Sequence, residues 1–250
     1  MKQYYHKNEL LNLVSPNDMG LKYTSVQRIE VSESVCISSG EEELCFIVIS
    51  GEVCYETADL TDTATMLDML YLPAGSSIHF LSGKNGVLMR YGAPCSRKTS
   101  FAHIRFRDVD ADYRHKVYGT VEQNTRRDVW NYIDEKFDSC RFLTGICRGA
   151  NGGWTAWPPH EHGQEREEVY VYFNMGNSFG AQFVYDELNR PILAEIVQEG
   201  DFIAIPHGYH PNVGCPCGGI FYAYVMVSTT ADDRDFMNLR TQAIYGDKLE

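Results

Sequence analysis

The sequence predicts an all-β protein built from two small barrels in tandem, and two observations carry this prediction. Short apolar runs alternate with polar residues and are separated by Gly, Pro, Asn or Asp, whereas helical periodicity is scarce. The two halves also repeat one plan, in which a strand runs into a Pro-x-Gly turn before the next strand. The clearest predicted strands are Leu44–Ser50, Gly86–Tyr91, Glu168–Phe173, Gly180–Tyr185 and Ile220–Val227.

The repeated turn places a histidine at a comparable point of each half. In the first half the turn at Pro73 leads to His79, and in the second half the turn at Pro206 leads to His210. The charge-rich stretch Arg105–Arg114 is polar enough for a crossover but lacks the Gly/Ser bias of a flexible linker. We therefore expect an N-terminal unit over residues 1–115 and a C-terminal unit over residues 116–250.

The composition of the chain limits the classes of partner that it can bind. Its 250 residues carry a formal net charge of -12, which argues against nucleic acid or an anionic membrane as the main partner. No apolar run approaches the roughly 20 residues of a membrane span, and no secretory signal is recognisable. Most cysteines lie in strand-like apolar runs, as expected of buried reduced thiols. These observations predict a cytoplasmic protein.

A metal site in the second half is the strongest functional signal. His160 and His162 lie one residue apart in Pro-Pro-His-Glu-His, and side chains at that spacing on a strand point to the same side. A carboxylate, Glu167 or Glu168, follows, and His210 comes after a later strand. Three nitrogens and one oxygen suit one divalent metal per chain, with zinc expected first and Mn, Fe, Co or Ni as alternatives. The first half lacks a His-x-His pair, so we expect no metal there.

The same segments carry a resemblance to a known family. They are Trp157–His162, Phe179–Tyr185, Gly208–Pro211, Glu168–Met175, and Arg126 and Arg127 ahead of Asn131. In these segments the chain resembles the cupin isomerases that unite 5-deoxy-glucuronate isomerase of inositol catabolism with 5-keto-4-deoxyuronate isomerase of pectin breakdown. The match covers most of the second half closely and the first half in outline. It implies a bicupin, with two double-stranded β-helix jelly-roll barrels.

The resemblance implies His160, His162, Glu168 and His210 as metal ligands. The general cupin spacing after His-x-His would choose Glu167 instead, whereas the match to Glu-Val-Tyr-x-Tyr-Phe chooses Glu168. Period-two alternation puts Glu168 on one face with Tyr170 and Tyr172, and tyrosines beside the metal suit a sugar pocket. We therefore favour Glu168.

The implied activity is a metal-dependent aldose–ketose isomerisation of a deoxy uronic acid, with 5-deoxy-glucuronate as the first candidate and 5-keto-4-deoxyuronate as the alternative. Such a reaction needs a residue that shuttles a proton; the candidates are Tyr172, Tyr170, Glu167 and His207, and we favour Tyr172. The substrate carboxylate needs a cationic partner, and Arg127, or its neighbour Arg126, stands where the resemblance puts one. The other candidate substrate-binding residues are Gln182, Tyr170 and Tyr209.

Other classes of cupin remain as alternatives. An iron or copper dioxygenase would use the same ligands, and a dry, apolar pocket would favour it. A non-catalytic sugar-binding or sugar-sensing cupin is the third class, but no basic helix-turn-helix pattern supports a sensor. Members of the resembling family tend to associate through the sheet faces of the N-terminal barrel. We therefore expect a homo-oligomer that acts on a small sugar acid.

Overall fold

The computed structural model describes residues 1–216 and 218–246, and strands dominate this part of the chain, as predicted. Each predicted apolar run lies on a strand to within one residue. The strands are β1 (Tyr4–Tyr5), β2 (Ser25–Glu30), β3 (Val35–Ser38), β4 (Glu42–Glu56), β5 (Thr61–Thr65), β6 (Met69–Leu72), β7 (Ser77–Pro94), β8 (Ala102–Ile104), β9 (His115–Tyr118), β10 (Arg127–Ile133), β11 (Phe142–Gly149), β12 (Trp154–Thr155), β13 (His160–Glu161), β14 (Arg166–Tyr172), β15 (Gly180–Glu187), β16 (Arg190–Val197), β17 (Phe202–Ile205), β18 (Asn212–Gly214), β19 (Phe221–Ser228) and β20 (Arg240–Thr241). The helices are α1 (Pro16–Met19) and α2 (Phe106–Asp110), with 3-10 turns at Lys7–Leu10 and Ala243–Tyr245.

The second half is built from two antiparallel sheets that close over one interior. One sheet has the order β1-β17-β14-β19-β11-β10-β9 and the other β12-β18-β15-β16, while β13 pairs with β20. Val184 and Leu193 of the smaller sheet belong to the same buried cluster as Val171 and Phe202 of the larger one. The inner faces of the two sheets therefore pack together, as in a jelly roll.

The first half is organised around two long strands. β4 and β7 pair along most of their length, and shifts in their register let both strands bend around the core. The sheet order is β2-β7-β4-β6-β8, with β3 and β5 added at the ends of the long strands.

Both faces of β4 are buried, and each face serves a different core. Leu44 and Phe46 face the interior of the first half. Cys45 and Ile47 belong to the cluster that also contains Val169 of β14. A near-continuous apolar run is what a strand covered on both sides requires. The two halves are therefore packed through the backs of their central strands.

The pairing registers show which residues of β4 and β14 are equivalent. Leu72, just before the turn at Pro73, pairs with Leu44, and Ile205, just before the turn at Pro206, pairs with Glu168. Leu44 is therefore the counterpart of Glu168, and Phe46 the counterpart of Tyr170. Where the second half offers polar groups to its interior, the first half fills the space with apolar side chains.

By the same registers, Glu43 of β4 is the counterpart of Glu167 of β14. Both are buried carboxylates that join the two halves, and we call them the carboxylate clasps. The Glu43 carboxylate accepts hydrogen bonds from the backbone N–H groups of Cys140 (2.8 Å) and Arg141 (2.6 Å) in the other half. The carboxylate of Glu167 accepts hydrogen bonds from three consecutive backbone N–H groups across the interface, at 2.6–2.9 Å, in residues 22–24. Each clasp holds a loop that crosses from the opposite half.

The division between residues 115 and 116 stays a prediction. In one respect the strands differ from it, because two strands that begin before residue 116 join the second sheet. β9 begins at His115 and joins the second sheet, but β1 from the chain start also joins that sheet by pairing with β17. The predicted crossover Arg105–Arg114 contains α2. No helix in the described residues combines the length and hydropathy needed to span a membrane.

Candidate metal centre

Four predicted ligands converge in the interior of the second half. The ring nitrogens of His160, His162 and His210 lie within 4.8 Å of one another. Oε2 of Glu168 lies 3.2 Å from Nε2 of His162 and 2.9 Å from Nε2 of His210. His162, His210 and Glu168 are buried, with exposed fractions of 7, 0 and 4 %. This is a donor set of three imidazoles and one carboxylate.

Local backbone features aim the histidines. The Trp157–Pro158 peptide bond is cis, and two prolines lead the chain into β13 at His160. Gly208 has φ of +95°, where a Cβ would be strained and would also lie 3.1 Å from the carbonyl oxygen of Tyr185. Glycine therefore suits this turn, which brings His210 back under β14.

Backbone carbonyls fix the tautomers of two rings. Nδ1 of His160 lies 3.0 Å from the carbonyl oxygen of Pro158, and Nδ1 of His210 lies 2.8 Å from that of Gly208. A carbonyl oxygen only accepts, so each Nδ1 carries the proton and donates it. A neutral ring with its proton on Nδ1 has its lone pair on Nε2, the arrangement typical of metal-binding histidines.

Burial and mutual contacts set the charge states. Burial lowers the pKa of His160 well below its usual range, and the neighbouring His210 and His162 act in the same direction. Burial also lowers the pKa of His162, although Glu168 opposes this effect. For Glu168, burial would raise the pKa, but contacts with His162 and His210 outweigh it and lower the pKa overall. For His210, burial would lower the pKa, but Glu168 outweighs it and raises the pKa. A carboxylate facing a neutral His160 matches the ionisation that metal binding requires.

The two candidate carboxylates face opposite ways on β14. Glu168 points to the histidines, whereas Glu167 is fully engaged as a clasp and also accepts a hydrogen bond from Oγ1 of Thr24 at 2.6 Å. Alternation along the strand separates the two neighbours, as the sequence predicted.

Two histidine nitrogens of this centre are buried without a hydrogen-bond partner among the described residues. Among the described residues, the buried polar side-chain atoms that lack a hydrogen-bond partner are Oη of Tyr91, Nδ1 of His162, Nε and Nη2 of Arg166, and Nε2 of His210. Nε2 of His210 has no hydrogen bond within the described residues, although it lies 2.9 Å from Oε2 of Glu168 as an ion-pair contact. Buried polar atoms rarely lack partners in native proteins. The donor set and its unsatisfied nitrogen therefore fit a divalent metal.

A cavity of about 70 Å³ opens beside the histidines. Its polar side includes His160, His162, Glu168, Tyr170 and Arg127, and the remaining lining residues are Tyr118, Val129, Cys147, Ala156, Tyr222, Tyr224, Met226, Phe236 and Leu239. One wall of the cavity therefore consists of aliphatic and aromatic side chains.

Arg127 and Tyr170 lie where the sequence predicted substrate-binding residues, in the wall of the cavity. The Arg127 guanidinium donates to the carbonyl oxygens of Thr125 (3.0 Å) and Trp157 (2.6 Å) and packs over the ring of Tyr118. These contacts hold a buried positive charge against the cavity, and no carboxylate of the described residues forms an ion pair with it.

Tyr172, Gln182 and Tyr209 do not line the cavity. The Tyr172 hydroxyl donates to Oε1 of Gln182 at 2.5 Å, and Nδ2 of Asn212 donates to the same oxygen at 3.1 Å. Gln182 also donates to the carbonyl oxygen of His210 at 2.9 Å, so this network supports the His210 loop from behind. Tyr209 instead packs against Tyr185. The position of Tyr172 thus differs from that of a proton shuttle, which must reach the substrate.

The sequence analysis missed part of the cavity wall. Tyr222 and Tyr224 of β19 face the cavity, and the Tyr224 hydroxyl donates to Oδ1 of Asn131 at 2.5 Å. Their period-two spacing within the predicted strand Ile220–Val227 was the available signal. Phe236 and Leu239 follow β19 in a segment with no periodic pattern, so no signal pointed to them.

Comparisons with known proteins agree with this fold. A family model described as the KduI/IolB family matches residues 2–242. A protein of Shouchella clausii named 5-deoxy-glucuronate isomerase is 25% identical over 228 residues, which cover 82% of this chain and 82% of that protein. A Rhizobium meliloti protein named 4-deoxy-L-threo-5-hexosulose-uronate ketol-isomerase 2 is 23% identical over 177 residues, covering 69% and 59% of the two chains. The crystal structure of an IolB-like protein from Salmonella typhimurium LT2 shares the fold, with a TM-score of 0.83, 21% identity, and 98% of each chain covered.

Proposed function

The chain belongs to the KduI/IolB family, and on this premise we propose that it is a metal-dependent isomerase that interconverts the aldose and ketose forms of 5-deoxy-glucuronate. One observation carries the proposal beyond family membership. Three histidines and Glu168 converge at the wall of a cavity that also holds the buried cation of Arg127. The histidines and Glu168 suit a metal, and the cation of Arg127 suits a sugar acid.

His160, His162, Glu168 and His210 would hold one divalent metal, and zinc is our first choice because imidazole and carboxylate donors suit it. A metal at this position would act as a Lewis acid that polarises the substrate carbonyl and stabilises negative charge as a proton is removed.

Arg127 is the proposed partner of the substrate carboxylate. Its guanidinium has five N–H donors. Two of them bind backbone carbonyl oxygens, and the others are available to a carboxylate. In a chain of net charge -12, such a local cation is needed to admit an anion. The backbone contacts keep the guanidinium in place before the substrate arrives.

Tyr170, rather than Tyr172, is the proposed residue that donates a hydrogen bond to a substrate oxygen during the reaction. Tyr170 lines the cavity next to Glu168, and burial, reinforced by the charge of Glu168, raises the pKa of its hydroxyl well above the usual range. A hydroxyl that stays protonated can donate to a substrate oxygen as negative charge develops there.

The test begins with metal content. Protein purified without a histidine tag or added metal should carry about one divalent ion per chain, and His162→Ala or His210→Ala should lose it while staying folded. Full metal occupancy in either variant would contradict the ligand assignment.

The second part follows the substrate. Incubation with 5-deoxy-glucuronate in heavy water should bring deuterium next to the carbonyl. Exchange on 5-keto-4-deoxyuronate instead would select the reaction for which the Rhizobium meliloti relative is named. A metal-loaded protein that exchanges neither sugar would contradict the isomerase proposal and favour an oxidative cupin.

We further propose a cytoplasmic homo-oligomer. Buried thiols such as Cys45, Cys140 and Cys147 remain without disulfides, which suits a reducing compartment. Size-exclusion chromatography with light scattering should give a mass above that of one 28.4 kDa chain, and a monomer at all concentrations would contradict the oligomer.

A further inference from the structure

The segment after β19, residues 229–246, crosses one side of the cavity, and we call it the C-terminal strap. Its strand β20 pairs with β13, the strand that carries His160. The backbone N–H of Gln242 donates to the carbonyl oxygen of Pro159 at 2.8 Å. The strap is thus tied directly to the segment that presents the first two candidate ligands.

Two arginines hold the part of the strap that precedes β20. Nη1 of Arg234 donates to the carbonyl oxygens of Asp134 (2.8 Å) and Phe142 (3.1 Å). Nη1 of the buried Arg166 donates to the carbonyl oxygen of Asn238 at 2.7 Å. The strap is therefore fixed at both ends of the stretch between residues 234 and 240.

This stretch turns two apolar side chains towards the cavity. Phe236 and Leu239 line it, and the Phe236 ring lies 6.2 Å from that of Tyr224. Met237, between them, is 56% exposed and points away. The wall they form, together with Met226 of β19, has no hydrogen-bonding side-chain group.

Such a wall discriminates between the carbons of a sugar acid. A hydroxyl group turned towards it would lose its hydrogen bonds to water and gain none, whereas a methylene would bury apolar area favourably. In a deoxy uronate one carbon is a methylene without a hydroxyl group, and the other carbons carry oxygen.

We propose that Phe236 and Leu239 determine substrate specificity by forming the wall that receives the deoxy carbon and disfavours uronates with a hydroxyl group there. The inference rests on the proposed function and adds to it the residues that select the substrate class.

The experiment compares binding of two open-chain ligands. Reduction of the aldehyde of 5-deoxy-glucuronate and of glucuronate gives acyclic sugar acids that cannot be isomerised and that differ only in the hydroxyl at carbon 5. Titration calorimetry on the metal-loaded protein should show tighter binding of the deoxy ligand by roughly 10-fold to 100-fold, the range found for a hydroxyl group against an apolar pocket. A ratio within about twofold for the unmodified protein would overturn the proposal.

Two substitutions then locate the effect. Leu239→Asn keeps the approximate shape and adds hydrogen-bonding groups, and Phe236→Tyr adds one hydroxyl group. Each should reduce the ratio of the two dissociation constants at least several-fold, while Met237→Asn, the matched control on the exposed side, should leave it unchanged. Metal content and thermal stability identify any variant that is damaged in another way.

The outcomes separate this proposal from the proposed function. Preferential deoxy binding that depends on Leu239 or Phe236, without catalysis of exchange, would keep the specificity wall and contradict the isomerase. Catalysis with an unchanged binding ratio in both variants would keep the isomerase and overturn the wall. Failure to bind either ligand would overturn the wall as well.

Discussion

Glu167 and Glu168 are neighbours with different tasks. Glu168→Gln should lose the metal and the activity, because the carboxylate facing His162 and His210 is removed. The loss of unfolding free energy should be small. Glu167→Gln should keep the metal but lose roughly 2–4 kcal/mol of unfolding free energy, because an amide cannot accept all the hydrogen bonds of the clasp. Metal analysis and chemical denaturation of both variants provide the comparison. Metal loss in the Glu167 variant alone would reverse the assignment.

Arg127 and Arg126 provide a second pair of neighbours. Arg127→Met keeps the buried stem but removes the charge, and it should raise KM about 10-fold to 100-fold, as expected for lost hydrogen bonds to a charged group. Arg126 forms a 3.0 Å ion pair with Asp128 on the outside of the sheet, so Arg126→Met should leave KM unchanged. Steady-state kinetics and melting temperatures would check both. Equal effects in the two variants would exclude a specific contact of Arg127 with the carboxylate.

Tyr170 and Tyr172 lie on one face of β14, but only Tyr170 reaches the cavity. Tyr170→Phe should lower kcat about 100-fold or more, because its hydroxyl would no longer donate to the substrate oxygen on which negative charge develops. Tyr172→Phe should cost stability, about 1 kcal/mol for its hydrogen bond to Gln182, and change kcat only slightly. The deuterium-exchange rate reports the chemical step in each variant. A larger fall in exchange for the Tyr172 variant would restore the role that the sequence favoured.

The predicted faces of β14 agree with the structure, but the depth of each residue along it does not follow from sequence. Alternation predicted that Glu168, Tyr170 and Tyr172 share a face. It contains no information on where the cavity ends, which is set by the covering strands β15 and β18 through Gln182 and Asn212. The strap was missed for another reason, since its course depends on hydrogen bonds from Arg166 and Arg234 rather than on any pattern of its own.

The equivalence of β4 and β14 makes a prediction for the first half. Glu43 is the counterpart of Glu167 and also accepts a hydrogen bond from the Tyr71 hydroxyl at 2.5 Å. Glu43→Gln should therefore destabilise the protein by about 2–4 kcal/mol, as expected when buried donors lose a charged acceptor. Glu41→Gln, two residues earlier and exposed, is the control and should be neutral. Denaturant unfolding measures both, and a neutral Glu43 variant would contradict the clasp.

The shared core predicts the unfolding behaviour of the whole molecule. Cys45 and Ile47 of the first half and Val169 of the second belong to one apolar cluster, and two clasps cross the boundary. Thermal unfolding should therefore be a single cooperative transition for both halves. Residues 116–250 produced alone should be less stable than the same region in the full chain. Calorimetry would show this, and two well-separated transitions would contradict it.

The pairing of β1 with β17 has a consequence for the order in which the protein is made. Tyr4 pairs with Ile203, so the edge of the second sheet is completed by residues that are translated long before their partner strand. These residues cannot pair with β17 until the intervening chain has been synthesised. Contacts this distant in sequence slow folding, because the entropy of loop closure comes before any stabilisation. A fusion partner placed directly before β1 would therefore act on a late step of assembly, although β1 is translated well before β17.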